Sequence, residues 1–180
     1  MIRPFSLGLL LLMSGCTSLP CDDPLSQDPC HADRLLLQND MLQAKMIIAS
    51  GDLPNYDLAK ALLDRVSGQD QRGDADFYRA LLIIHEGPQV DEVLTLLERS
   101  AAAGSPHATA LLYKMYAEPY LLSHGDPLRA EGYRAAYAEL DVAKSGYPSF
   151  QQALGLVNRL VVSAISQGHL TQDAEQAAQN

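Results

Sequence analysis

Tryptophan is absent from the 180-residue chain, cysteine occurs three times and only 6% of residues are aromatic. Ala and Leu dominate the apolar set while Val and Ile are sparse, which speaks against a large β-sheet and for helices. Positive charge is scarce as well: 13 Lys and Arg stand against 22 Asp and Glu, giving a formal net charge of −9. Binding a phosphate backbone needs a concentrated basic face, so nucleic acid is excluded as a partner. Runs of low complexity are missing, and 47% of residues are hydrophobic, so the chain is expected to fold. Its length fits one domain that buries roughly 70% of its unfolded surface. The signatures of catalysis are missing too: no nucleophile elbow, phosphate-cradling Gly loop, His-Glu-x-x-His helix or EF-hand loop occurs. The histidines, at 31, 85, 107, 124 and 169, include no pair at helix ligand spacing. His85 with Glu86, and His124 near Asp126, offer acid and base groups, but solvated polar residues at helix ends are the simpler reading. No catalytic residue, metal site or cofactor is therefore expected.

What is present begins with an address. Arg3 is the only charge before Asp22, and Phe5 to Met13 is an apolar stretch ending in Ser14, Gly15 and Cys16. That stretch is far short of the roughly 20 apolar residues a membrane-spanning helix needs, and its layout is that of a signal peptide over residues 1–15. Met13-Ser14-Gly15-Cys16 resembles the bacterial lipobox, which implies cleavage before Cys16 and lipidation of its thiol. Thr17 at the following position resembles an outer-membrane sorting signal, and Ser18 reverses that sorting in some relatives. The expectation is an anchor on the periplasmic face of the outer membrane, with inner-membrane retention as the alternative. Residues 16–30 then form a tether. In an oxidising compartment Cys21 and Cys30 are expected to pair as a disulfide. Free thiols are the rival reading, and a metal set of Cys21, Asp22, Cys30 and His31 ranks below both because it lacks a second paired motif.

From residue 31 onward apolar residues recur at spacings of three and four, and Gly or Pro punctuates every 12 to 20 residues, as helix hairpins require. The pattern predicts helices over 31–50, 56–67, 75–86, 89–103, 106–117, 127–146 and 148–167, with a short one after Thr171. Second helices of successive pairs share a pattern: Ala59, Leu62 and Arg65 recur as Val93, Leu96 and Arg99, and more weakly as Ala135, Ala138 and Asp141. Small residues there let helices approach, and each hairpin leaves an apolar face for the next to cover. Leu62, Leu96, Ala108, Leu112 and Tyr116 are the expected core.

Arg99-Ser-Ala-Ala-Ala-Gly104 followed by Ala108, Leu112 and Tyr116 resembles the Sel-like repeat branch of the tetratricopeptide superfamily, over roughly residues 55–167. Tyr113 stands where that family usually has Gly, and Leu96 and Ala138 replace its common Trp. The resemblance implies an all-α fold over residues 31–180, a short right-handed solenoid of three to four hairpins. It further implies an adaptor or scaffold for another envelope protein. An immunity lipoprotein that neutralises a periplasmic effector is the alternative, with an envelope enzyme acting on glycan behind it. Tyr113, Tyr116, Tyr120, Tyr133 and Tyr137 crowd the third repeat. Tyr116 and Tyr137 read as core, whereas Tyr113, Tyr120 and His124, around the long connection 118–125, are the expected partner surface, because aromatic residues on a scaffolded loop are typical anchors.

Overall fold

A computed structural model describes residues 29–161, with side chains from residue 32. Among the described residues all regular structure is helical, without strands. Helix α1 (Pro29–Ser50) leads through a single 3-10 turn (Leu53–Asn55) into α2 (Tyr56–Ser67), followed by α3 (Asp74–Glu86), α4 (Val90–Ala102), α5 (Pro106–Ala117), α6 (Pro127–Glu139) and the one-turn α7 (Asp141–Lys144). Helix α8 occupies residues 150–161. No described helix is long and apolar enough to cross a membrane. Cys16, Cys21, the apolar stretch 5–13 and the segment after Thr171 lie outside the described residues. Of Cys30, only its place in the first turn of α1 is described.

Local chemistry explains the boundaries. The Ser105 hydroxyl accepts the Ala108 amide at 3.3 Å and the Asp126 carboxylate accepts that of Arg129 at 3.0 Å. Pro follows each cap in the first helical position, where its missing N–H costs nothing. Ser149 and Gln152 form a reciprocal capping box at the head of α8, with bonds of 3.3 and 2.8 Å. Between α4 and α5, Gly104 sits at φ +92° while the amides of Gly104 and Ser105 close back onto Ala101 and Ser100. That left-handed turn is strained for any residue with a side chain.

One boundary departs from the expectation of a single helix over 127–146. The chain turns extended at Leu140, at φ −66° and ψ 143°, and restarts as α7. Neither Gly nor Pro marks the place. Leu140 and Ala143 are partly buried against the core, so tertiary packing overrides the local helical pattern there.

Neighbours in sequence pack as neighbours in space: α1 on α2, α3 on α4 and α5 on α6, with α2 meeting α3 and α4 meeting α5. All five expected core residues are buried, Leu62, Leu96, Ala108, Leu112 and Tyr116 alike. They join Ile48, Leu63, Phe77, Leu81, Leu97, Leu111 and Met115 in one continuous cluster. The recurring arginines have a matching role that the sequence pattern did not disclose. Arg65 on α2 reaches back to Asp40 on α1 at 2.5 Å, and Arg99 on α4 reaches back to Asp76 on α3 at 2.5 and 2.7 Å. Each of the first two hairpins thus carries one Arg–Asp clamp between its helices. In the third pair the equivalent position is Asp141, and Arg129 instead approaches Glu98 at 3.9 Å.

A close backbone approach fixes the second hairpin against the turn before it. Gly73, at φ +72°, lies under α4, and the buried Ser100 hydroxyl donates to its carbonyl at 2.6 Å. A Cβ at Gly73 would come within 2.8 Å of the Ser100 Cα.

Candidate functional site

Helix α8 returns across the array rather than extending it. Ala153, Val157, Leu160 and Val161 form its buried stripe, at the spacing of one helical face. At its head, Phe150 meets Tyr113 of α5 and Tyr137 of α6 edge-on, with centroids 5.0 and 5.2 Å apart. Near the last described turn, the Leu160 carbonyl lies 3.1 Å from Nε2 of His85 on α3, while Nδ1 of the same ring is bonded to the Tyr56 hydroxyl. A carbonyl only accepts, so Nε2 carries the proton and Nδ1 accepts from Tyr56. Burial lowers the His85 pKa, against smaller opposing effects from the Leu160 carbonyl and Glu86. Burial, with Glu86 and Asp52 adding to it, pushes the Tyr56 hydroxyl up to about 12. A neutral, oriented imidazole thus ties α2, α3 and α8 together.

His85 is therefore no solvated helix-end residue, and neither is His107. Its ring lies against Phe77, 5.7 Å between centroids, and burial lowers its pKa, opposed by Asp74 and reinforced by Lys45. Sequence gave no sign of either role, because the partners of His85 lie 29 and 75 residues away.

The three residues expected to face a partner differ in exposure and in what they touch. His124 is exposed, with its Nδ1 3.0 Å from the Ser123 hydroxyl. Tyr113 is half-buried against Phe150. Tyr120 is half-buried against the core, with Lys114 over its ring at 5.5 Å. Burial raises the Tyr120 hydroxyl to about 12, and that hydroxyl has no hydrogen-bond partner. The connection after α5 folds back, the Asp126 amide bonding to the Tyr116 carbonyl at 2.8 Å, which displays 123–125 outward. Tyr116 and Tyr137 are buried as expected, Tyr116 stacking on Tyr133 with centroids 5.7 Å apart.

An open cleft of about 710 Å³ lies between α1 and the α2–α3 turn, lined by Leu37, Met41, Lys45, Asp70, Arg72 and Asp74 among others. Its carboxylates are already engaged. Asp74 pairs with Lys45 at 2.8 Å and Arg72 at 3.5 Å, and Asp70 caps α3 through the Ala75 amide at 2.6 Å. Among the described residues no group of three or more His, Cys, Asp or Glu is placed to hold a metal ion.

Exposed apolar side chains collect at one end of the molecule. Of seven large ones among the described residues, Leu35, Leu36, Leu42 and Met46 lie on α1 and Leu58 on α2. Scattered exposed leucines are ordinary, but a contiguous group marks a contact surface. Comparisons with protein-family models, with curated proteins and with solved structures find no match to this chain.

Proposed function

We propose that this chain is a lipid-anchored envelope adaptor, a Sel-like solenoid of helix hairpins that holds another envelope protein on the periplasmic side of the outer membrane. The observation that carries this reading is the recurrence of an interhelical Arg–Asp clamp in successive hairpins, at repeat positions Arg65 and Arg99. Such arrays bury little more than their neighbours' faces and offer an extended surface for partners. Cys16 supplies the anchor, and Cys21 with Cys30 closes a disulfide in the tether. The partner meets His124 on the connection after α5, with Tyr113 and Tyr120 as its aromatic contacts.

The test places a photo-crosslinking residue at position 124 and irradiates intact cells. The reading expects one discrete crosslinked envelope protein, absent when the same residue stands at position 64 on the far hairpin. No adduct at position 124 in correctly localised protein contradicts it.

A further inference from the structure

Helix α1 carries two apolar faces, and among the described residues only one is covered. Ala44 and Ile48 are fully buried, with Leu37 and Met41 partly so. On the opposite side Leu35, Asn39, Leu42, Met46 and Ala49 are all exposed. Their alternating spacings of four and three are those of a coiled-coil seam, with Leu35, Leu42 and Ala49 at d and Asn39 and Met46 at a. Leu35 is 51% exposed, Leu42 57% and Met46 64%. A helix apolar on both sides belongs in an interior, yet among the described residues α2 and α3 cover one side alone.

We infer that this outer seam pairs with the same seam of a second copy, as a parallel two-stranded coil about a two-fold axis along α1. Charge favours that occupant. In a chain of net charge −9, two copies repel wherever acidic surfaces meet, but the seam itself holds no charged residue. The flanking positions are Leu36, Gln38, Gln43, Lys45 and Ser50, and Lys45 is held by Asp74 at 2.8 Å and lies over the Tyr78 ring. No like charges face across the pair. Asn39 decides the direction. Parallel pairing sets Asn39 against Asn39, where the two amides bond to each other, whereas antiparallel pairing layers a against d, sets Asn39 against Leu42 and strands the amide.

The seam spans about 21 Å of helix and offers five side chains a copy, against roughly 20 to 30 residues a side in a standard interface. The dimer is accordingly weak and concentration-dependent. It rests on α1 alone and holds whether or not the chain is lipidated.

Sedimentation equilibrium of the full chain in a neutral detergent tests it. The expected result is a reversible monomer–dimer equilibrium whose dissociation constant rises at least tenfold in Leu42→Glu, with an unchanged melting temperature. With the three native cysteines replaced by Ser, Asn39→Cys should form covalent dimers under mild oxidation. A chain that stays monomeric up to about 1 mM, or a dimer indifferent to Leu42→Glu, overturns the proposal. So does cross-linking by the Leu35→Cys, Met46→Cys pair in place of Asn39→Cys, which marks an antiparallel dimer. A monomer that binds phosphatidylethanolamine–phosphatidylglycerol vesicles through Leu42 overturns it as well.

Discussion

Two glycines of similar sequence context have opposite tolerances. Gly73 needs its left-handed backbone and has Ser100 backbone atoms where a Cβ would sit, whereas Gly68, at φ −68°, has no atom within 4 Å of that place. Gly73→Ala should cost about 2 kcal/mol, from strain and displaced packing. Gly68→Ala should be neutral or stabilising by about 0.5 kcal/mol, through the unfolded chain. Chemical denaturation of both variants checks the pair. At His85 and His107 the sign of the pH dependence follows from burial, which lowers both pKa values. A base whose folded pKa is depressed binds its proton more readily when unfolded, so stability is complete above the unfolded value near 6.5 and falls as pH drops below it. His85→Gln keeps a donor and an acceptor at the latch but cannot titrate. Between pH 7 and 5 this variant should lose less stability than the parent, and equal losses would show that His85 binds no extra proton on unfolding. Asp76 is held below the usual carboxylate range by its Arg99 bond and by Arg79, so its contribution fades only at more acidic pH, as the pH falls through its lowered folded value.

At the scale of elements, starts and stops were legible wherever chemistry is local. Ser105-Pro106, Asp126-Pro127 and Gly104 mark their boundaries in sequence because cap, fixed φ and left-handed turn each involve adjacent residues. The break at Leu140 was not legible, since it depends on what Leu140 and Ala143 pack against. The seat of α8 was equally hidden. Its buried stripe could be read as a helix face, but nothing in a 3.6-residue period says which helices that face meets. Phe150 shows where it docks, wedged between Tyr113 and Tyr137. Phe150→Ala should lower global stability by about 2 to 3 kcal/mol, at the low end for a phenylalanine because the ring is only partly buried. Thermal unfolding by circular dichroism reads it. A melting temperature equal to the parent's would mean that α8 is not part of the cooperative unit.

Over the whole molecule, the helical class and the core were written in composition and periodicity, and Leu62, Leu96, Ala108, Leu112 and Tyr116 are buried as that pattern requires. The candidate surfaces were less legible. His124 is displayed, yet Tyr113 and Tyr120 turn partly inward, because tyrosine serves a core and an interface equally well and sequence does not separate the two uses. The outer face of α1 is hidden in the sequence for a related reason: with both sides apolar, the helix shows no strong preference for one face. An acidic array with an apolar first helix is suited to assembling at a surface, where tethering raises effective concentration and lets weak contacts hold. The anchor is thus the claim on which the proposed role turns. Metabolic labelling with a fatty-acid probe, followed by separation of membrane and soluble fractions, tests it most directly. Lipidation at Cys16 requires label on the wild-type chain in the membrane fraction and, in Cys16→Ala, loss of both label and membrane residence. Label that survives Cys16→Ala, or an unlabelled wild type in the soluble fraction, would contradict it.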